Sequence, residues 1–338
     1  MIIERKTFKE ILETVKYGLA GKEESLIGST SFYFTEGKVH TFNDSVSVSA
    51  PIPEIDFEGE VNATELLGFV SKTVGKEITV TVEGNTLTLL SGKAKAELAL
   101  KTESTLPIDS IGEISKWKPL DAEFLQGISF VKHACGSDFT RPILTCVHVA
   151  ETFIEGTDGF RVAFVEMKNK IPVGTFLLPA TVVPYIVSIK PTHISLGKAW
   201  VHFKTENNVV LSCRIFEDTF VNTTPFRKYE GKDIVFPDNI LEILNRAIIF
   251  NESAVGMQTY VTIAITNSKI TVSSKSNTGR FEEKAKIAYK GEDVTFMIIV
   301  SLLQEIVKET KVGKYTGRLL VFSFGSTIYS TILMGERS

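Results

Sequence analysis

Three cysteines in 338 residues, Cys135, Cys146 and Cys213, form no CxxC pair and leave one thiol over in any pairing. Neither a disulfide framework nor a cysteine zinc site is therefore expected to organise the fold, and buried reduced thiols are the expected state. Histidine is equally sparse. His40, His133, His148, His193 and His202 are scattered without metal-ligand spacing and read as surface or sheet-face residues. A GxSxG elbow, a P-loop and a GxGxxG turn are also missing, so no catalytic set holds together. No apolar run approaches the roughly 20 residues of a membrane span, and the opening MIIERKTFKEIL carries charges where a signal peptide is uniformly apolar. The expectation is a cytoplasmic protein without membrane contact. A large charge of one sign is lacking too: net charge −3 and a pI near 6.1 argue against coating nucleic acid with the whole surface.

What is present is a well-mixed globular composition, 43% hydrophobic and 23% charged, in a chain too long for one ordinary core. Two or three domains of roughly a hundred residues each suit it. Phe8, Ile11, Leu12, Val15 and Leu19 repeat at helical spacing, then short alternating strands follow (SFYFT, KVHTF, SVSVSA). A second helix is expected from about Ala63 to Val74, with Asn62 or Thr64 as its cap, and further strands come after it.

The same order recurs twice. Helices are expected over Leu120–His133 and Ala180–Ile189, then from Pro237 through ILEILNRAIIF and over Ile299–Glu309, each followed by strands. First helices open near Thr7, Asp121 and Asp238 and second helices near Thr64, Thr181 and Ile298, a period of roughly 116 residues. The polar, proline-containing stretches Lys101–Pro119 and Thr223–Pro237 read as linkers. The fold class is α+β, with three similar domains at 1–112, 113–230 and 231–338, each of two helices and antiparallel sheets.

Near the midpoint stands TDGFRV, Thr157–Val162. In Thr-Asp-Gly the usual role of the aspartate is to accept backbone hydrogen bonds in a turn, with the glycine at positive φ. Asp158 has no partner base for acid–base chemistry, and the chain reads as a non-enzyme without cofactor or metal. Basic residues fall on or beside the helices: Lys6, Lys9 and Lys16; Lys72 and Lys76; Lys132; Arg246; Lys308, Lys311 and Lys314. They would form one basic face if the helices share a surface, but Glu10, Glu13, Glu65, Glu242, Glu305 and Glu309 sit on the same helices, so ordinary solvated faces stand as the alternative. No aromatic–basic interleaving suggests base stacking, and DNA contact would be to phosphates.

The threefold repeat, TDGFRVAF and a C-terminal strand ending ILMGERS together resemble the bacterial sliding clamp, the β subunit of DNA polymerase III. Arg141-Pro142-Ile143-Leu144 is similar to its Arg-x-x-Leu motif, and CRIFEDTFVNT to the stretch that ends its second domain. The resemblance implies the DNA clamp fold: two chains closed head to tail into a dimeric ring around duplex DNA, opened by a clamp loader and tethering the replicative polymerase and other partners. Matched one by one, it implies a partner-peptide pocket of Leu144, Thr157, Gly159, Phe160, Arg161, Val162, Val221, Phe226, Ile332 and Met334. In such a ring the basic residues Lys9, Lys16, Lys22, Lys72, Lys132, Arg141, Arg246 and Lys308 are the expected DNA contacts, and the resemblance further implies a dimer interface at Leu98, Leu100, Ile249 and Phe250, for which core packing is the alternative.

Departures from the family pattern concentrate at the pocket. Phe160 stands where a histidine is usual, Val221 where a proline is, and Thr223 where a tyrosine is. These changes fit a divergent or phage-encoded clamp with its own partner peptides. The competing class is a monomeric clamp-fold protein that binds partner peptides without encircling DNA.

Overall fold

Among the described residues, six α-helices form where the apolar spacing expects them: α1 Arg5–Val15, α2 Ala63–Lys72, α3 Ala122–Val131, α4 Val183–Ile189, α5 Ile240–Ile248 and α6 Val300–Ile306. The computed structural model describes residues 1–20, 30–104, 106–112, 114, 116–227, 229–250 and 259–334. Within these residues the chain falls into two units, Met1–Ser129 with Val149–Glu151 and Asn169–Asp218, and Phe130–His148 with Thr152–Lys168 and Thr219–Ser338. No helix among the described residues is long and apolar enough to cross a membrane.

In the first unit, α1 buries Phe8, Leu12 and Val15, one face at the i, i+4, i+7 spacing. It packs against α2, which is capped by the Asn62 side chain accepting from Glu65 N at 3.1 Å. α2 ends two residues earlier than its apolar pattern suggests. Thr73 is already extended, its N–H closing the last turn on Phe69 O, and Val74 is left 96% exposed.

One antiparallel sheet carries this unit, in the order Ile2–Glu4, Glu77–Glu83, Thr86–Ser91, Ala94–Lys101, Gly59–Asn62, Ser31–Thr35, Lys38–Phe42, Val46–Pro51, Val210–Arg214, Trp200–Lys204, His193–Leu196, Lys118–Pro119. Its central join, Val48 opposite Leu211, makes strands of the first and second sequence repeats share a single sheet. Burial at 0% for Phe32, Phe34, Val48, Phe203 and Leu211 marks its core.

The second unit holds two sheets. Arg280–Lys286, Lys269–Lys275, Tyr260–Thr266 and Val294–Ile299 form a four-stranded antiparallel sheet whose inner face, including Val261, Ile263 and Ile265, is covered by α5. α5 begins three residues after Pro237, whose carbonyl accepts the Ile240 N–H at 3.0 Å. The other sheet runs Cys146–Val149, Phe153–Thr157, Arg161–Glu166, Thr327–Ile332, Leu319–Phe324, Val312–Tyr315, Lys232–Val235. Gly156 allows it to sit close to the end of α3 and the chain that follows: a Cβ there would lie 2.8 Å from Cys135 Sγ and 2.9 Å from Val131 Cγ1. Any larger residue must push that chain away.

Candidate functional site

The TDGFRV stretch is the turn between the Phe153–Thr157 and Arg161–Glu166 strands, which pair with Thr157 opposite Val162. Asp158 Oδ1 accepts the N–H groups of Phe160 at 2.8 Å and Arg161 at 3.1 Å. Thr157 Oγ1 accepts Gly159 N at 3.1 Å and donates to Arg161 O at 2.5 Å. Gly159 takes φ +91°, a conformation that a side chain disfavours. Asp158 is thereby committed to the turn.

Beside the turn, the C-terminal strand Thr327–Ile332 pairs with Arg161–Glu166, Val162 lying opposite Ser330. Ile332 N donates to Phe160 O at 2.9 Å, fixing the tip of the turn against the strand. Across the next hairpin Leu319 lies opposite Ile332. A single helical turn, Thr224–Phe226, closes the far side, with Ser330 Oγ donating to Phe226 O at 2.8 Å.

Between these parts lies a cavity of about 200 Å³. Nine of the ten residues matched to a peptide pocket line it, namely Leu144, Thr157, Gly159, Phe160, Arg161, Val162, Val221, Phe226 and Ile332. The tenth, Met334, is not in its wall: the Met334 and Met297 backbones exchange hydrogen bonds of 2.8 and 2.9 Å, which tie Met334 to the strand Val294–Ile299. Arg141 lies at the mouth rather than on a helix face, its guanidinium 3.5 Å from where a Gly159 Cβ would stand. Thr223, a departure from the family pattern, also lines the cavity, as do Asn222, Leu319 and Ser330, which the sequence match misses. Ser330 and Leu319 had a signal, since one alternates with Ile332 on its strand and the other is its hairpin partner.

The wall is apolar in Leu144, Val162, Val221, Phe226 and Ile332, which suits a short apolar peptide better than a charged metabolite. Arg161 does not offer a free charge to it. Its Nε donates to Asp158 Oδ2 at 3.1 Å and its Nη1 to Glu305 of α6.

The residues expected to contact DNA differ in exposure and pairing. Lys16 and Lys72 are exposed in the first unit, and Lys308 is exposed after α6 in the second. Lys132 is half-buried, and Lys9 lies 3.7 Å from Glu13. Arg246 is already engaged by Glu283, through two hydrogen bonds of 2.8 Å. Lys22 lies outside the described residues. Of the residues matched to a dimer interface, Leu98 and Leu100 are buried in their own unit at 9% and 2%, and Leu100 packs under Gly59. Ile249, by contrast, is 74% exposed, and Phe250 stacks on Phe281 with ring centroids 5.9 Å apart.

Neither a family model nor a curated protein matches this sequence. Its fold, however, is that of the bacterial sliding clamps. Over 99% of both chains it superposes on the sliding clamp, DNA polymerase III subunit beta, of Pseudomonas aeruginosa bound to griselimycin, at 14% identity and a TM-score of 0.86. The beta subunit of the Streptococcus pyogenes DNA polymerase matches at 20% identity and 0.85, covering 98% of this chain and 99% of that one. The Thermotoga maritima DNA polymerase III beta subunit matches at 16% and 0.83 over 99% of each.

Proposed function

We propose that the chain is a DNA sliding clamp: a processivity factor that performs no chemistry, encircles duplex DNA and tethers a replicative polymerase through the cavity beside TDGFRV. The observation that carries this reading is the gathering of Leu144, Phe160, Val162, Phe226 and Ile332, residues from four separated stretches, around one apolar cavity in a chain with the sliding-clamp fold. An apolar cleft of this kind suits a partner segment with two or three apolar side chains.

The ring follows from three clamp domains, 1–112, 113–230 and 231–338, in each of two chains joined head to tail. Closure after two copies makes a bounded assembly rather than a filament. Because Leu98 and Leu100 face their own core, the first-domain side of the contact would use the backbone edge of Ala94–Ala99, the part of its strand that Gly59–Asn62 leaves unpaired, with the outward Lys95 and Glu97. The third-domain side would use Arg280–Lys286, an edge of its sheet, with Ile249 and Phe250 nearby. Inner lysines such as Lys16 and Lys72 would contact phosphates without reading sequence, and a clamp loader would open the ring.

Solution mass tests the ring. A dimer of twice 37.4 kDa is expected, with retention on nicked circular DNA after loading and release when the circle is cut. A strict monomer at high micromolar concentration overturns encirclement and leaves the monomeric peptide-binding protein.

A further inference from the structure

The cavity's outer wall comes from the segment Phe220–Arg227, which contributes Val221, Asn222, Thr223 and Phe226. Apart from the turn Thr224–Phe226, no regular element holds this segment in shape. Besides the Ser330 Oγ bond to Phe226 O, its anchorage lies at a buried carboxylate. Glu155, 3% exposed in the strand Phe153–Thr157, is a costly residue to bury unless its charge and both oxygens are answered.

They are answered mainly by this segment. Glu155 Oε2 accepts the Thr223 hydroxyl, and Arg227 Nη2 lies 3.7 Å from the same oxygen. Oε1 lies 2.8 Å from His148 Nδ1, whose ring stacks on Phe220 at 4.9 Å. The Arg227 guanidinium is held over the rings of Phe164 and Phe153 at 4.5 and 5.0 Å. Phe220, Thr223 and Arg227 are thus three fasteners converging on one carboxylate and its histidine partner, and the lining residues lie between them.

We propose that Glu155 is a positioning residue for partner binding: it clasps the Phe220–Arg227 segment so that one wall of the peptide cavity is formed before a partner arrives. A preformed wall spares the peptide the cost of ordering the segment, which is how pre-organisation raises affinity. The clasp also accounts for Thr223, which stands where the resemblance expects a tyrosine: a hydroxyl on a short side chain reaches the buried carboxylate. This inference rests on the reading of the cavity as a peptide site.

The test uses the full chain and a fluorescein-labelled pentapeptide, Gly-Leu-Ala-Leu-Phe, as an apolar probe. Glu155→Leu is expected to bind it at least tenfold more weakly than the wild type, through the loss of hydrogen bonds to a charged acceptor. Glu155→Gln, which keeps an acceptor for Thr223, should return to within a few-fold. Amide hydrogen exchange across Phe220–Arg227 should accelerate at least tenfold in Glu155→Leu, while exchange in Arg161–Glu166 and the solution mass stay unchanged. If Glu155→Leu does not fold, Thr223→Val removes one fastener at constant shape and carries the same expectation. Equal affinity of wild type and variants, or unchanged exchange in the segment, overturns the clasp. Failure of the wild type to bind, or binding unaffected by Val162→Arg in the cavity wall, overturns instead the reading of the cavity on which the clasp depends.

Discussion

Arg161 donates to Glu305, 144 residues further along the chain, while its Nε holds Asp158 at 3.1 Å. Burial works against the guanidinium's charge, but Tyr329, Glu305 and Asp158 outweigh it and hold the group above its ordinary value. Burial also raises the Tyr329 phenol, which is therefore neutral at pH 7, so the two carboxylates supply the compensating charge. Arg161 thus ties the turn to α6.

Arg161→Met is expected to cost about 2–3 kcal/mol, because it strips the counter-charge from the 19%-exposed Asp158. Glu305→Gln should cost less than about 1 kcal/mol, since Glu305 is 36% exposed and solvent screens it. Urea midpoints measure both. A larger loss in Glu305→Gln than in Arg161→Met would contradict the tie.

Val162→Ala with Ile332→Ala, both in the cavity wall, should weaken polymerase or peptide binding by about tenfold or more while leaving the solution mass unchanged. Met334→Ala should have a much smaller effect, because Met334 lies against Met297. Fluorescence anisotropy distinguishes the two cases.

Lys16→Glu with Lys72→Glu should weaken binding to duplex DNA at every sequence and reduce the salt slope by about 2. Arg246→Ala should change the slope little, since Glu283 already occupies its guanidinium. Titrations at several salt concentrations give the slopes. Equal slopes for the double variant and the wild type would mean that these lysines only face solvent.

His202 is 1% exposed with Nδ1 2.8 Å from Ser212 Oγ, and burial lowers its pKa from 6.5 to about 4. As pH falls below 6.5 the unfolded chain takes up a proton that the folded one refuses. Stability from this group is therefore complete above pH 6.5 and declines toward pH 4 by about 3 kcal/mol. His202→Gln should flatten the dependence of Tm on pH in that window, and an unchanged slope would rule the residue out as its source.

The helices and the turn were legible because each is specified locally. The apolar spacing of Phe8, Leu12 and Val15 is enough for α1, and Thr-Asp-Gly is enough for the turn that Asp158 closes. Helix ends were less so: α2 stops at Lys72 and α6 at Ile306, because their last expected turns give way to extended or single-turn backbone. Nonlocal pairing was harder still. Nothing near Met334 announces that Met297 will claim it, and nothing in the sequence joins Glu155 to Thr223, 68 residues apart.

The pairing of Val46–Pro51 with Val210–Arg214 has a practical consequence for dissecting the protein. A fragment cut after the first sequence repeat would lose its neighbour strand and present the bare edge of Val46–Pro51 to solvent. Exposed edges of that kind recruit other chains. Isolated repeats should therefore clump when expressed alone, so exchanging modules calls for junctions chosen by sheet rather than by repeat.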